Sequence, residues 1–148
     1  MESGRRLAFD YGSSRIGMAV SDLSGLLASP LENLDATSPT IDTQIAEILA
    51  DYSPLYLVVG SPLHLSGTSS AKSEAVSQFT ELLKKLTSVP IYLLDERLTT
   101  VSASRNLREA GYSAKESKSK IDGAAAVAIL ETALHHEKLQ GKPSQVIA

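Results

Sequence analysis

The run Leu55-Tyr56-Leu57-Val58-Val59, closed by Gly60-Ser61-Pro62, constrains this chain more than any other segment. Five apolar residues without a polar break cannot alternate between core and water, so the strand they form is buried on both faces. Such a strand belongs in a parallel pairing, and parallel strands need crossover connections that cover the sheet above and below. The neighbouring segments can supply that cover. Ser38-Pro39 opens a helix on which Ile41, Ile45, Ile48, Leu49 and Tyr52 share a face, with Asp42, Glu47 and Asp51 opposite. Ser69 or Ser70 caps a second helix, whose inner face is Val76, Phe79, Leu82, Leu83 and Leu86. Pro90 then precedes another strand, Ile91-Tyr92-Leu93-Leu94.

Ahead of this alternating part, Leu7-Ala8-Phe9 is a short apolar strand that runs into Asp10 and a turn at Gly12. Ile16, Met18 and Val20 follow at the strand period of two. Leu26 to Leu31 reads as a third strand closing a meander, with Pro30 favouring an edge or irregular course. Towards the other end, Thr99 or Thr100 caps a shorter helix through Leu107, which Gly111 stops. A basic loop follows. A last, alanine-rich helix runs from about Ile121 to Lys138, and Gln140-Gly141-Lys142-Pro143 begins a polar tail expected to be loose.

The order is strand-strand-strand-helix-strand-helix-strand-helix-helix. It implies one α/β domain over residues 1–148, with its core at about 6–138. The expected sheet is mixed and five-stranded, a three-strand antiparallel meander plus two parallel strands, with helices on both faces. That is the ribonuclease H-like arrangement.

Composition removes several function classes. With 43% hydrophobic residues and no apolar run near the ~20 residues of a membrane span, no membrane partner is expected. Arg5 and Arg6 have no apolar signal core behind them, and the chain has no cysteine, so a cytoplasmic location is expected. The absence of cysteine also excludes thiolate metal sites and cysteine nucleophiles. His64, His135 and His136 cannot build a histidine site on one helix face, because adjacent residues point apart. A net charge of −3 argues against coating nucleic acid by bulk attraction. Yet Arg97, Arg105, Arg108, Lys115, Lys118 and Lys120 face only Glu109 and Glu116, a local excess of +4 that also fits an ordinary solvated loop.

Acids stand at three positions where chemistry is commonly placed. Asp10 ends the first strand, although Asp-x-Gly is also common hairpin punctuation. Asp95 and Glu96 end the fifth strand; they could serve the following helix terminus, but Thr99 and Thr100 already cap it. Asp122 opens the last helix, where Ser119 to Asp122 also fits a capping box. In this architecture the three positions converge on one crevice. Carboxylates brought that close repel unless cations lie between them, and a hard oxygen site selects Mg²⁺ or Mn²⁺. Two such ions ~4 Å apart can activate water and stabilise a leaving oxygen in phosphodiester cleavage.

These segments resemble the YqgF family, also called RuvX. Asp10-Tyr11-Gly12-Ser13-Ser14-Arg15-Ile16-Gly17 is similar to its opening signature, and Val58-Val59-Gly60-Ser61-Pro62-Leu63 with Gly67-Thr68 to its second block. Asp95-Glu96-Arg97-Leu98-Thr99-Thr100 and Ile121-Asp122-Gly123-Ala124-Ala125 match the remaining two in order. The resemblance implies a ribonuclease H-like fold related to the junction resolvase RuvC. It also implies a nuclease that matures the 5′ end of pre-16S ribosomal RNA, with cleavage of four-way DNA junctions as the alternative. Asp10, Glu96 and Asp122 are then the catalytic, metal-binding acids, and Arg15, Arg97 and Lys120 are candidates for backbone contacts. Lys115 and Lys118 join them from the basic segment. The strand ending in Gly60-Ser61-Pro62 lacks the acid that RuvC-type resolvases carry there. Monomer and homodimer both stay open. A sugar-kinase or actin-like lobe would need a second phosphate-binding turn, which is absent, and a silent binding module would not keep three mutually repelling acids.

Overall fold

Alternation along the first hairpin decides which side of the sheet each later element covers. In a computed structural model, residues 1–61, 71–95 and 114–148 are described, with backbone alone over 71–72 and 114–122. Strand β1 (Leu7–Tyr11) pairs antiparallel with β2 (Arg15–Ser21), setting Leu7 opposite Val20 and Tyr11 opposite Ile16. β2 pairs antiparallel with β3 (Ala28–Asp35), with an irregularity between Ile16 and Met18. β3 therefore starts later and runs further than Leu26–Leu31. The reason lies in Asp22, whose carboxylate accepts the amides of Leu26 and Leu27 and keeps both in the turn.

The two parallel strands are as expected. β4 (Leu57–Ser61) lies parallel to β1, and β5 (Ile91–Asp95) parallel to β4. The sheet has six strands rather than five, in the order β3-β2-β1-β4-β5-β6. The additional one, β6 (Val146–Ile147), comes from the tail expected to be loose and pairs antiparallel with β5. The buried Ser144 hydroxyl donates to the Leu93 carbonyl, and the Ala148 amide donates to the Ile91 carbonyl at 2.8 Å. Without β6, the β5 edge would present unpaired backbone groups.

One face of the sheet, through Leu7, Phe9, Ile16, Met18, Leu57 and Val59, packs on α1 (Ile41–Tyr52) and α2 (Ala71–Leu86). The helix residues buried there are Ile45, Leu49, Val76, Phe79 and Leu83, as their spacing predicts. Phe79 meets Phe9 edge-on at 5.5 Å and stacks on Tyr11 at 4.9 Å. Aromatic pairs of this kind contribute ~0.5–1.5 kcal/mol beyond their buried area. The opposite face is covered by α3 (Ala114–Gln140), which buries Ala126, Ile129, Leu130, Ala133 and Leu134. Ala8 and Ala19 stand opposite each other beneath it, and their small side chains leave room for the helix to approach.

α3 corrects the expected boundary. It begins at Ala114, so Ser119 is an interior residue and not a cap, and Asp122 is well inside the helix. Lys115, Lys118 and Lys120 consequently lie on helical backbone rather than in a loop. Residues 114–120 contain no glycine or proline and several good helix formers, so extension costs little once Ala125 to Leu134 anchor the helix to the sheet. The expected helix from Thr99 or Thr100 to Leu107 lies outside the described residues, as do His64 and the Ser69 or Ser70 cap.

Candidate active site

The hairpin turn after Asp10 is held by backbone geometry. The Gly12 amide donates to the Arg15 carbonyl at 2.9 Å, and a Cβ at Gly12 would stand 2.8 Å from that oxygen. Glycine is required here by space. The turn returns the chain so that Gly17, which has no side chain, stands opposite Asp10.

Strand alternation assigns the sides. Ala8 lies on the α3 face, so Asp10, two residues on, projects to the same face from the half-buried C-terminal end of β1. Arg15 alternates in phase with Gly17 and Ala19 and opens β2 on that face too, opposite Asp35. Asp95 is different. It pairs with Ser61, in phase with Val59 and Leu93, which belong to the α1 and α2 side. Asp95 thus projects away from Asp10, although both end parallel strands.

α3 crosses the Asp10 face obliquely. Near its C-terminal end Glu137 lies against Arg6 and Tyr56, before β1 and β4 begin; at Gly123 it lies over Pro30 of β3, with a Cβ there 3.6 Å from the proline's Cβ. The backbone of Asp122 therefore enters on the side to which Asp10 projects. The side chains of Asp122, Lys115, Lys118 and Lys120, and the whole of Glu96 and Arg97, lie outside what is described. Among the described residues no group of three or more His, Asp or Glu side chains is placed to hold a metal. Asp10 suits one donor of a hard-cation site, being a half-buried carboxylate near the C-terminal end of a strand, opposite Gly17.

A polar cluster that the sequence analysis missed anchors this arrangement. The Arg6 side chain is fully buried and pairs with Glu137 at 3.0 Å, while Tyr56 donates its hydroxyl to Glu137 at 2.8 Å. The same guanidinium donates to the carbonyls of Gly4 and Glu2, so its charge is satisfied on several sides. Burial first, and then the bond to Glu137, push the Tyr56 phenol well above its ordinary value. No local motif links Arg6 to a helix residue 131 positions away. A weak signal was a charged Glu137 closing an otherwise apolar helix face.

The sheet order, the two covered faces and an acid at the end of β1 define a ribonuclease H-like protein. Over 95% of this chain and 99% of the other, the fold superposes on Thermus thermophilus RuvC in complex with a Holliday junction substrate, with a TM-score of 0.61 and 18% identity. A second Thermus thermophilus RuvC structure gives a TM-score of 0.54 at 19% identity, with the same 95% and 99% coverage. The family model described as "Holliday junction resolvase", RuvX, matches residues 4–136, and the chain belongs to the RuvX family. A Streptomyces coelicolor protein named "Putative pre-16S rRNA nuclease" is 43% identical over 97% of this chain and 87% of its own. A Mycobacterium leprae protein of the same name is 44% identical over 88% and 72%.

Proposed function

We propose that this protein is a divalent-metal-dependent, phosphodiester-cleaving nuclease that processes the 5′ end of pre-16S ribosomal RNA in the cytoplasm. The observation that carries the reading is Asp10, which projects from the end of β1 beside the side-chain-free Gly17, on the face that α3 crosses with Asp122 in its backbone. Asp95 alternates to the other face, which supports Glu96 as the second acid. Asp10, Glu96 and Asp122 are the residues to hold Mg²⁺ or Mn²⁺. When bound, such an ion offsets carboxylate repulsion, lowers the pKa of water and stabilises charge on the leaving oxygen. Arg15 projects from the Asp10 face and suits a phosphate contact. Arg97, Lys115, Lys118 and Lys120 extend the cationic surface. Among the described residues no helix is long and apolar enough to cross a membrane.

The substrate reading rests on the names of the relatives, whereas the family description favours a four-way DNA junction as the second reading. Labelled pre-16S RNA, unstructured RNA and a four-way junction should be incubated side by side with the purified protein and Mn²⁺. Trimming of the RNA precursor to its mature 5′ end is expected, and it should disappear in Asp10→Asn and Glu96→Gln with the circular dichroism unchanged. Full activity in Glu96→Gln with loss in Asp95→Asn would transfer the role to Asp95. Symmetric junction cleavage with intact precursor RNA would replace the ribosomal reading by the resolvase one.

A further inference from the structure

Away from the candidate site, the turn between β2 and β3 exposes an unusual amount of apolar surface. Leu23 is 56%, Leu26 64% and Leu27 69% exposed, and Met1, itself 54% exposed, reaches the same turn where a Cβ on Gly25 would meet its Cε. These side chains do not sit on a frayed loop. Asp22 accepts the Ser24 hydroxyl at 2.6 Å and the amides of Leu26 and Leu27 at 2.8 and 3.1 Å, so the backbone that presents them is pinned. Between this turn and α3 runs a groove of ≈350 Å³, floored by the buried Leu134 and bordered on the helix by Glu131, His135 and Lys138.

Those three helix residues form one exposed stripe at i, i+4 and i+7, with an acid at one end and a base at the other. Glu131 and Lys138 are ~10 Å apart along the axis, too far to pair with each other. Among the described residues neither has a hydrogen-bond or ion-pair partner. Reversing the helix about a point between Leu134 and His135 superposes Glu131 on Lys138 and Lys138 on Glu131. A second copy placed antiparallel would therefore satisfy both charges by one operation, which is the self-complementarity a two-fold contact demands. Charge complementarity and the pinned leucines select the same occupant.

We propose that this face is a homodimer surface, with α3 of one protomer antiparallel to α3 of its partner and the β2–β3 leucines closing the contact on either side. Because each protomer contributes both charges, Glu131→Lys turns both ion pairs into like-charge contacts, and so does Lys138→Glu. Each variant should raise the dimer dissociation constant about tenfold in sedimentation equilibrium at low salt. Mixing the two variants in equal amounts should restore association near the wild-type level, since every contact then pairs opposite charges. Leu27→Glu should abolish the dimer while circular dichroism stays unchanged. The proposal fails if the wild-type protein stays monomeric at every concentration, leaving the groove to a different partner. It fails equally if the dimer is indifferent to Leu27→Glu, or if the mixed variants associate no better than either alone.

Discussion

At the scale of single residues, Gly12 and Asp22 shape the two turns of the opening meander by different physics. Gly12 faces the Arg15 carbonyl so closely that a methyl would overlap a backbone oxygen, which cannot rotate away as a flexible side chain could. Gly12→Ala should destabilise the fold by ~1–3 kcal/mol in urea unfolding, the range typical of forced overpacking. The shift should also displace Asp10, so cleavage should fall further than stability alone explains. Asp22 is held at a pKa of about 2, below its ordinary 3.8, first by the Ser24 hydroxyl and then by the Leu27 and Leu26 amides. A depressed carboxylate stabilises the fold above its unfolded value and loses that contribution as pH falls through its folded one. The stability gap between wild type and Asp22→Asn should therefore be full above pH 3.8 and shrink progressively towards about 2. Acid titration followed by circular dichroism measures it; a gap that widens on acidification would contradict the assignment.

At the scale of elements, α3 is the piece on which the site depends. Its apolar face seats it on Ala8, Ala19 and Val58, while the Arg6–Glu137–Tyr56 cluster ties its far end to the starts of β1 and β4. Removing Glu137 leaves the buried Arg6 guanidinium with carbonyl acceptors but no counter-charge. Glu137→Leu should accordingly cost ~3–5 kcal/mol. Tyr56→Phe removes one hydrogen bond and keeps the ring's edge-on contact with Tyr92, so it should cost only ~1 kcal/mol. Thermal unfolding of both variants tests that ranking, and an equal loss in both would mean that Arg6 finds another acceptor.

At the scale of the whole molecule, the sheet is closed on one side by a strand from the chain's last residues. β6 is short, yet Ser144 and Ala148 fasten it to Leu93 and Ile91, and Ala148 packs on the core of the α1 and α2 side. Deleting residues 144–148 should lower the melting temperature and expose the β5 edge to other chains. Concentration-dependent light scattering on heating should reveal it. Unchanged melting and no scattering would reduce β6 to a passive addition.

Local pattern dictates a large part of this fold. An unbroken apolar run at Leu57–Val59 dictates a two-sided strand, period-two spacing from Ile16 to Val20 dictates the return strand, and the stripes on α1 and α2 dictate the faces they bury. The acid at the end of β1 was legible for the same reason, since a charge closing an apolar strand has no packing role. Features that depend on distant partners follow instead from the assembled fold. Lys115 to Lys120 became helical because residues further along anchor α3 to the sheet, and a polar tail became a strand because β5 offered it an unpaired edge. Asp95 and Asp10 were separated by strand register, a property of three paired strands that no single segment carries. Nothing local marked Arg6 for burial; its counter-charge is a glutamate 131 residues away. Periodicity reports the side of an element that avoids water, whereas partners across the fold are chosen by the packing that all elements reach together.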